Sequence, residues 1–202
     1  MVIHHGFEMP PREFESRKAW PVGGDVRGDW RGEYASQSPL NALYVTNEGG
    51  GAEGTAGYLA LPGAHADQFY AEATPRWYRP RRALDLRHTR AMLHLKAISP
   101  LRTAAGYAPY LFIDDYDEPT NTYCGWYHRQ PLVIGDEWTL NAVDLVNDES
   151  QWTRYSRGRS LDAVLSHVGF IGVMFLRGTE FRGVDACGVL GIDEFRYNVP
   201  LA

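Results

Sequence analysis

Apolar and polar residues alternate most clearly in the middle of the chain. In Ala91–Ile98, Leu93, Leu95 and Ala97 share one side, and Met92, His94 and Lys96 share the other. Pro100 ends that run. In Pro109–Tyr116, Leu111 and Ile113 point one way, and Tyr110, Phe112, Asp114 and Tyr116 point the other. A period of two residues is the signature of a half-buried strand. Asp117-Glu-Pro-Thr-Asn121 has turn composition, so Thr122–Arg129 is predicted to return as the second arm of a hairpin. Glu137–Leu145 and Gly188–Tyr197 read as further strands. Phe170-Ile-Gly-Val-Met-Phe-Leu176 is apolar on both sides and reads as a strand covered on both faces. Leu93, Leu95, Leu111, Ile113, Val143, Ile171, Val173, Phe175, Leu190 and Ile192 are the expected core. Asp162–His167 allows one or two helical turns, and no segment carries the pattern of a long helix.

The chain has 202 residues, 13% of them aromatic, with 21 Gly and 12 Pro. Many aromatics among many turn formers suit short strands joined by loops. The expected fold class is all-β: an antiparallel jelly-roll β-sandwich with a loop-rich N-terminal region. It forms one domain over 1–202, with 1–35 an irregular N-terminal arm and 36–202 the sandwich. Leu40–Thr46 and Tyr58–Leu61 read as short strands, and Phe7-Glu8 and Phe14-Glu15 as starts of extended pieces.

A net charge of −5 argues against a phosphate-backbone binder, so nucleic acid is not an expected partner. The run Arg76–Arg82 is a local exception, read as a solvated loop. No apolar stretch approaches the length of a membrane helix, so no membrane insertion is expected. No basic segment followed by an apolar run marks a signal peptide, so a cytoplasmic or particle-associated location is expected. Cys124 and Cys187 could pair if their strands were neighbours, but read better as two free, buried thiols. His4-His5 and His88 with His94 are histidine pairs at spacings read as surface residues.

Several short passages then act together. They are Tyr70-Ala71, Pro75 and Trp77; Leu84-Asp-Leu86 and Met92-Leu-His-Leu95; Glu137-Trp138, Val143, Leu145 and Trp152; Leu161, Val164-Leu165, Val168 and Ile171; and Gly191-Ile-Asp-Glu-Phe-Arg196. Their order resembles the galactose-binding-like jelly rolls, which include many carbohydrate-binding modules and the laminin IV domain. The likeness covers 70–197 well and 1–69 loosely. It implies a glycan or polysaccharide as partner. It also implies a structural calcium flanked by an N-terminal Glu and the Asp of the last strand, at positions matching Glu8 and Asp193. The alternative is a solvated Glu8 and an Asp193 that caps a turn.

A sugar face stacks on aromatic rings, and its hydroxyls bind planar or charged polar groups. The hairpin supplies both. His94, Tyr110, Phe112, Asp114, Trp126, Tyr127 and Arg129 are therefore expected to border one exposed concave surface, with 91–98 paired beside the hairpin. Tyr127 and Arg129 lie on one side of the return arm and Trp126 and His128 on the other, so only one pair can join Tyr110 and Phe112. Trp152 and Tyr155 sit in a polar loop, as a cleft rim or as cover for the sheet edge. No nucleophile elbow, phosphate loop or His-Glu-x-x-His is present. The leading function is a non-catalytic carbohydrate-binding protein. The alternatives are a structural or decorating component of an assembly such as a phage particle, touching neighbouring subunits, and a jelly-roll glycoside hydrolase or polysaccharide lyase.

Overall fold

The structure, a computed structural model, describes residues 2–7, 12–13, 30–32, 43–73, 84–117 and 122–201. Glu8, Phe14-Glu15, Pro75, Trp77, the Arg76–Arg82 run and most of the hairpin turn lie outside them. Among the described residues the strands are β1 (Ile3–His5), β2 (Arg12–Glu13), β3 (Trp30–Gly32), β4 (Tyr44–Thr46), β5 (Tyr58–Ala66), β6 (Tyr70–Ala73), β7 (Thr89–Arg102), β8 (Ala108–Asp117), β9 (Thr122–His128), β10 (Thr139–Leu145), β11 (Trp152–Arg154), β12 (Phe170–Leu176) and β13 (Ala186–Pro200). One short helix, α1 (Leu161–Leu165), is capped by Ser160, whose side chain accepts from the Ala163 N–H; this is the orphan donor that a helix start exposes.

The strands form two antiparallel sheets. One runs β10-β7-β13-β5-β4-β2, with β1 also on β13, and the other runs β11-β9-β8-β12-β6-β3. The first 35 residues are therefore not wholly irregular: β1 and β2 join the first sheet and β3 joins the second. All ten expected core residues are buried in one cluster between the sheets. Alternation predicted them because a strand with one wet face must put every second side chain in the core.

β8 and β9 form the predicted hairpin, with Tyr116 opposite Tyr123. β7 does not pair beside it. It lies between β10 and β13 in the other sheet, so pairing here is not sequential. A jelly roll sends consecutive strands to alternate sheets, and no pattern inside one strand reports its neighbour. β12 is buried along its whole length. Ile171, Val173 and Phe175 face the core, and Met174 and Leu176 join a second apolar cluster on the far side of the sheet.

Candidate functional site

That second cluster lies on the outer face of the six-stranded sheet. Phe112, Tyr127, Met174 and Leu176 are buried in it, and Tyr70, Tyr110, Tyr155 and Phe181 pack on it half-buried. Register builds it in rows. Tyr127, Phe112, Gly172 and Glu72 stand opposite one another across four strands. Tyr110, Met174 and Tyr70 form the next row, and Gly125, Asp114 and Phe170 the row on the other side. The rings of Tyr110 and Tyr127 lie 4.8 Å apart, and Tyr155 lies 6.4 Å from both Phe112 and Tyr127.

Two carboxylates enter this aromatic surface, and both are buried: Asp114 and Glu72. The Tyr155 hydroxyl donates to Asp114 Oδ2 at 2.5 Å. Burial, and then the Asp114 charge, push the Tyr155 phenol well above its ordinary pKa, so it stays a donor. Gly125 makes room for this pair. A methyl group there would overlap both the Asp114 carboxylate and the Tyr155 ring. Arg129 borders the face, its Nε donating to the Trp152 carbonyl at 2.9 Å and to Thr153 Oγ1 at 3.1 Å.

The structure thus brings together Tyr110, Phe112, Asp114, Tyr127 and Arg129. It separates two others. Trp126 points inward, in the core cluster, and its indole donates to the Arg159 carbonyl at 3.2 Å; its odd-even position on β9 is opposite to that of Tyr127. His94 lies on β7 in the other sheet, buried, with Nε2 3.7 Å from Glu53 and no partner for Nδ1 among the described residues. Trp152 is buried in the core at the sheet edge, while Tyr155 covers the outer face. Glu72, Tyr70 and Phe181 were not anticipated. Glu72 sits in Tyr70-Ala-Glu-Ala73, too short a run to show alternation, and Phe181 sits in a loop. Asp115, next to Asp114, faces the other way, fully buried, with Arg159 Nη1 at 2.5 Å and His167 Nδ1 at 3.1 Å.

Asp193 lies elsewhere, on β13 against the loop that follows β4. It is fully buried. The Ala52 N–H donates to its Oδ2 at 2.7 Å, the Thr55 hydroxyl to the same oxygen at 2.6 Å, and the Glu194 N–H to its Oδ1 at 2.8 Å. Burial raises its pKa from 3.8 to about 6, against the lowering effect of those donors. Glu194, at φ 48°, bulges the strand here, so that Asp193 faces outward while Ile192 and Phe195 both reach the core. Two glycines allow close approach here, Gly51 beside the carboxylate and Gly57 beside two backbone carbonyls. A Cβ at Gly51 would overlap Asp193 and Thr55 and come within 2.5 Å of the Gly57 carbonyl. A Cβ at Gly57 would lie 2.5 Å from the Phe7 carbonyl and 3.2 Å from that of Thr46. Beside the two N–H donors the cradle offers the carboxylate itself, the Thr55 hydroxyl and the Gly57 carbonyl next to Gly51, oxygen groups of the kind a hard cation such as calcium takes. Glu8 follows Phe7 directly in the chain, outside the described residues.

No family model matches the chain, and no curated protein matches it. Solved structures do. The CBM22-1–GH10 modules of endo-1,4-beta-D-xylanase 10B from Clostridium thermocellum, complexed with xylohexaose, superpose with a TM-score of 0.51 at 11% identity, over 97% of this chain and 28% of that longer one. CtCBM11, solved in solution, superposes with a TM-score of 0.52 at 9% identity, over 95% of this chain and 96% of its own. A family 11 module from Clostridium thermocellum with a beta-1,3-1,4-mixed-linked tetrasaccharide superposes with a TM-score of 0.49 at 10% identity, over 95% and 96%. At such identities it is the fold alone that is shared: this chain has an antiparallel jelly-roll β-sandwich fold, as the solved carbohydrate-binding modules do.

Proposed function

We propose that this chain is a carbohydrate-binding protein that takes a glycan on the outer face of its six-stranded sheet. One observation carries the reading. Four half-buried aromatic rings, Tyr70, Tyr110, Tyr155 and Phe181, surround two buried carboxylates, Asp114 and Glu72, on a sheet face away from the core. A sandwich's outer face is ordinarily polar. Half-buried rings suit the apolar face of a sugar, and carboxylate oxygens accept from its hydroxyls. Arg129 at the edge supplies donors. The shared fold is consistent with this use, and xylo-oligosaccharides are the first ligands to try because the CBM22-1–GH10 modules were solved in complex with xylohexaose.

Calcium belongs to the same reading as a structural ion. Asp193 would anchor it, with backbone carbonyls of the loop before β5, such as that of Gly57 beside Gly51, as candidates to complete the shell; Glu8, the other expected ligand, lies outside the described residues. Its contribution would be to lock the loop before β5 onto β13, remote from the glycan face.

Binding is tested by retardation of the protein in gels containing soluble xylan or mixed-linkage β-glucan. Slower migration of the wild type, relieved by Tyr110→Ala, supports the reading. Failure across a broad glycan array would turn the function toward that of a structural or decorating component of an assembly.

A further inference from the structure

A separate group of side chains meets where β5 ends and β13 begins. Ala66 stands opposite Ala186 and Ala64 opposite Cys187, so His65 is the extra residue of a bulge. Its φ is 56°, and Asp185, just before β13, has φ 48°. Left-handed backbone is uncommon outside glycine, and Asp and His are among the residues that adopt it most readily; at this bulge both side chains lie close to Cys187. His65 Nδ1 lies 2.7 Å from Asp185 Oδ1 and 3.6 Å from Cys187 Sγ, and the three donor atoms lie within 4.8 Å of one another.

A catalytic relay does not fit this geometry. A relay uses both imidazole nitrogens, one toward the nucleophile and one toward the orienting acid. Here thiol and carboxylate converge on the same nitrogen. Three unlike donors aimed at one point are what a metal ion requires. Cys187 is a half-buried thiol outside any disulfide, so it is available.

We infer that His65, Asp185 and Cys187 form a surface site for a zinc-like divalent ion, through Nδ1, a carboxylate oxygen and a thiolate. The nitrogen–sulfur–oxygen set selects a borderline metal over calcium or magnesium, which take oxygen alone. Bond lengths of about 2.0 Å to N and O and about 2.3 Å to S place donors roughly 3.3–3.7 Å apart around a tetrahedral ion. The present Nδ1–Sγ spacing already matches. The Nδ1–Oδ1 spacing opens by about half an ångström as the ion replaces the shared proton, which moves to Nε2, and the thiol proton leaves to solvent. The side chains of His65 and Asp185 are 79% and 62% exposed, so a fourth position faces water and is open to an outside ligand. The site is independent of the glycan reading and of calcium at Asp193.

The test is a zinc titration of the full chain, free of any affinity tag and saturated with calcium, by calorimetry, with cobalt as spectroscopic probe. One ion per chain is expected, with a thiolate-to-cobalt charge-transfer band. Cys187→Ser and His65→Gln should each weaken zinc at least about tenfold while melting as the wild type does in chelator. In parallel, zinc should slow alkylation of Cys187 in the wild-type protein, a readout that needs no variant. Undiminished zinc affinity in Cys187→Ser, a cobalt spectrum without the thiolate band, no bound zinc, or alkylation indifferent to zinc would each overturn the assignment.

Discussion

Trp126 and Tyr127 are neighbours of similar composition value, and the structure gives them opposite tasks. Trp126 fills the core and Tyr127 lies beneath Tyr110 on the outer face. Trp126→Ala should therefore cost about 3–5 kcal/mol of stability, as large core truncations do, read as a drop in denaturant midpoint at unchanged slope. Tyr110→Ala removes a half-buried ring and should cost much less, about 1 kcal/mol, while it abolishes glycan retention. Tyr155→Phe keeps the ring and removes the proton given to Asp114, so a loss of about 1–2 kcal/mol is expected in the same measurement. The alternation in Pro109–Tyr116 made Tyr110, Phe112 and Asp114 legible as one set. Choosing between the two sides of β9 needed the register to β8, which residue types do not encode.

At the scale of elements, the bulge in β13 shows what a strand pattern hides. Gly191-Ile-Asp-Glu-Phe-Arg196 reads as a strand, but only the positive φ of Glu194 lets Ile192 and Phe195 both face inward while Asp193 does not. The long hairpin and the core positions were readable because alternation fixes which face is wet. The partner of β7 was not, so His94 was assigned to the wrong sheet. The pKa of Asp193, raised by burial to about 6 from 3.8, has a consequence for stability. The cation-free folded state holds this proton more tightly than the unfolded chain does. Asp193 therefore favours folding at low pH, and that contribution is lost as pH rises from about 4 through about 6. In chelator, the melting temperature of the wild type should fall relative to Asp193→Asn across this window and run parallel above it. A constant difference from pH 4 to 7 would contradict the assignment. On the hairpin, Gly125→Ala should push Tyr155 off Asp114, lowering the melting temperature and glycan retention together. Gel retardation and a thermal scan of one sample read both.

For the molecule as a whole, the two sheets carry different work. The seven-stranded sheet holds the Asp193 cradle and the six-stranded sheet carries the aromatic face, so the two can be perturbed separately. Removing calcium should lower the melting temperature, by mass action on the native state, without changing which glycan is retained. Unchanged melting in chelator would remove the ion from the account and leave the glycan face intact. That face is tested most directly by one measurement: a glycan array probed with wild type, Tyr110→Ala and Trp138→Ala, whose ring packs 5.3 Å from that of Tyr58 on the seven-stranded sheet, each shown to be folded. The account predicts that wild type and Trp138→Ala hold the same glycan and that Tyr110→Ala loses it. No glycan held by the wild type, or one held by Tyr110→Ala and lost by Trp138→Ala, would contradict it.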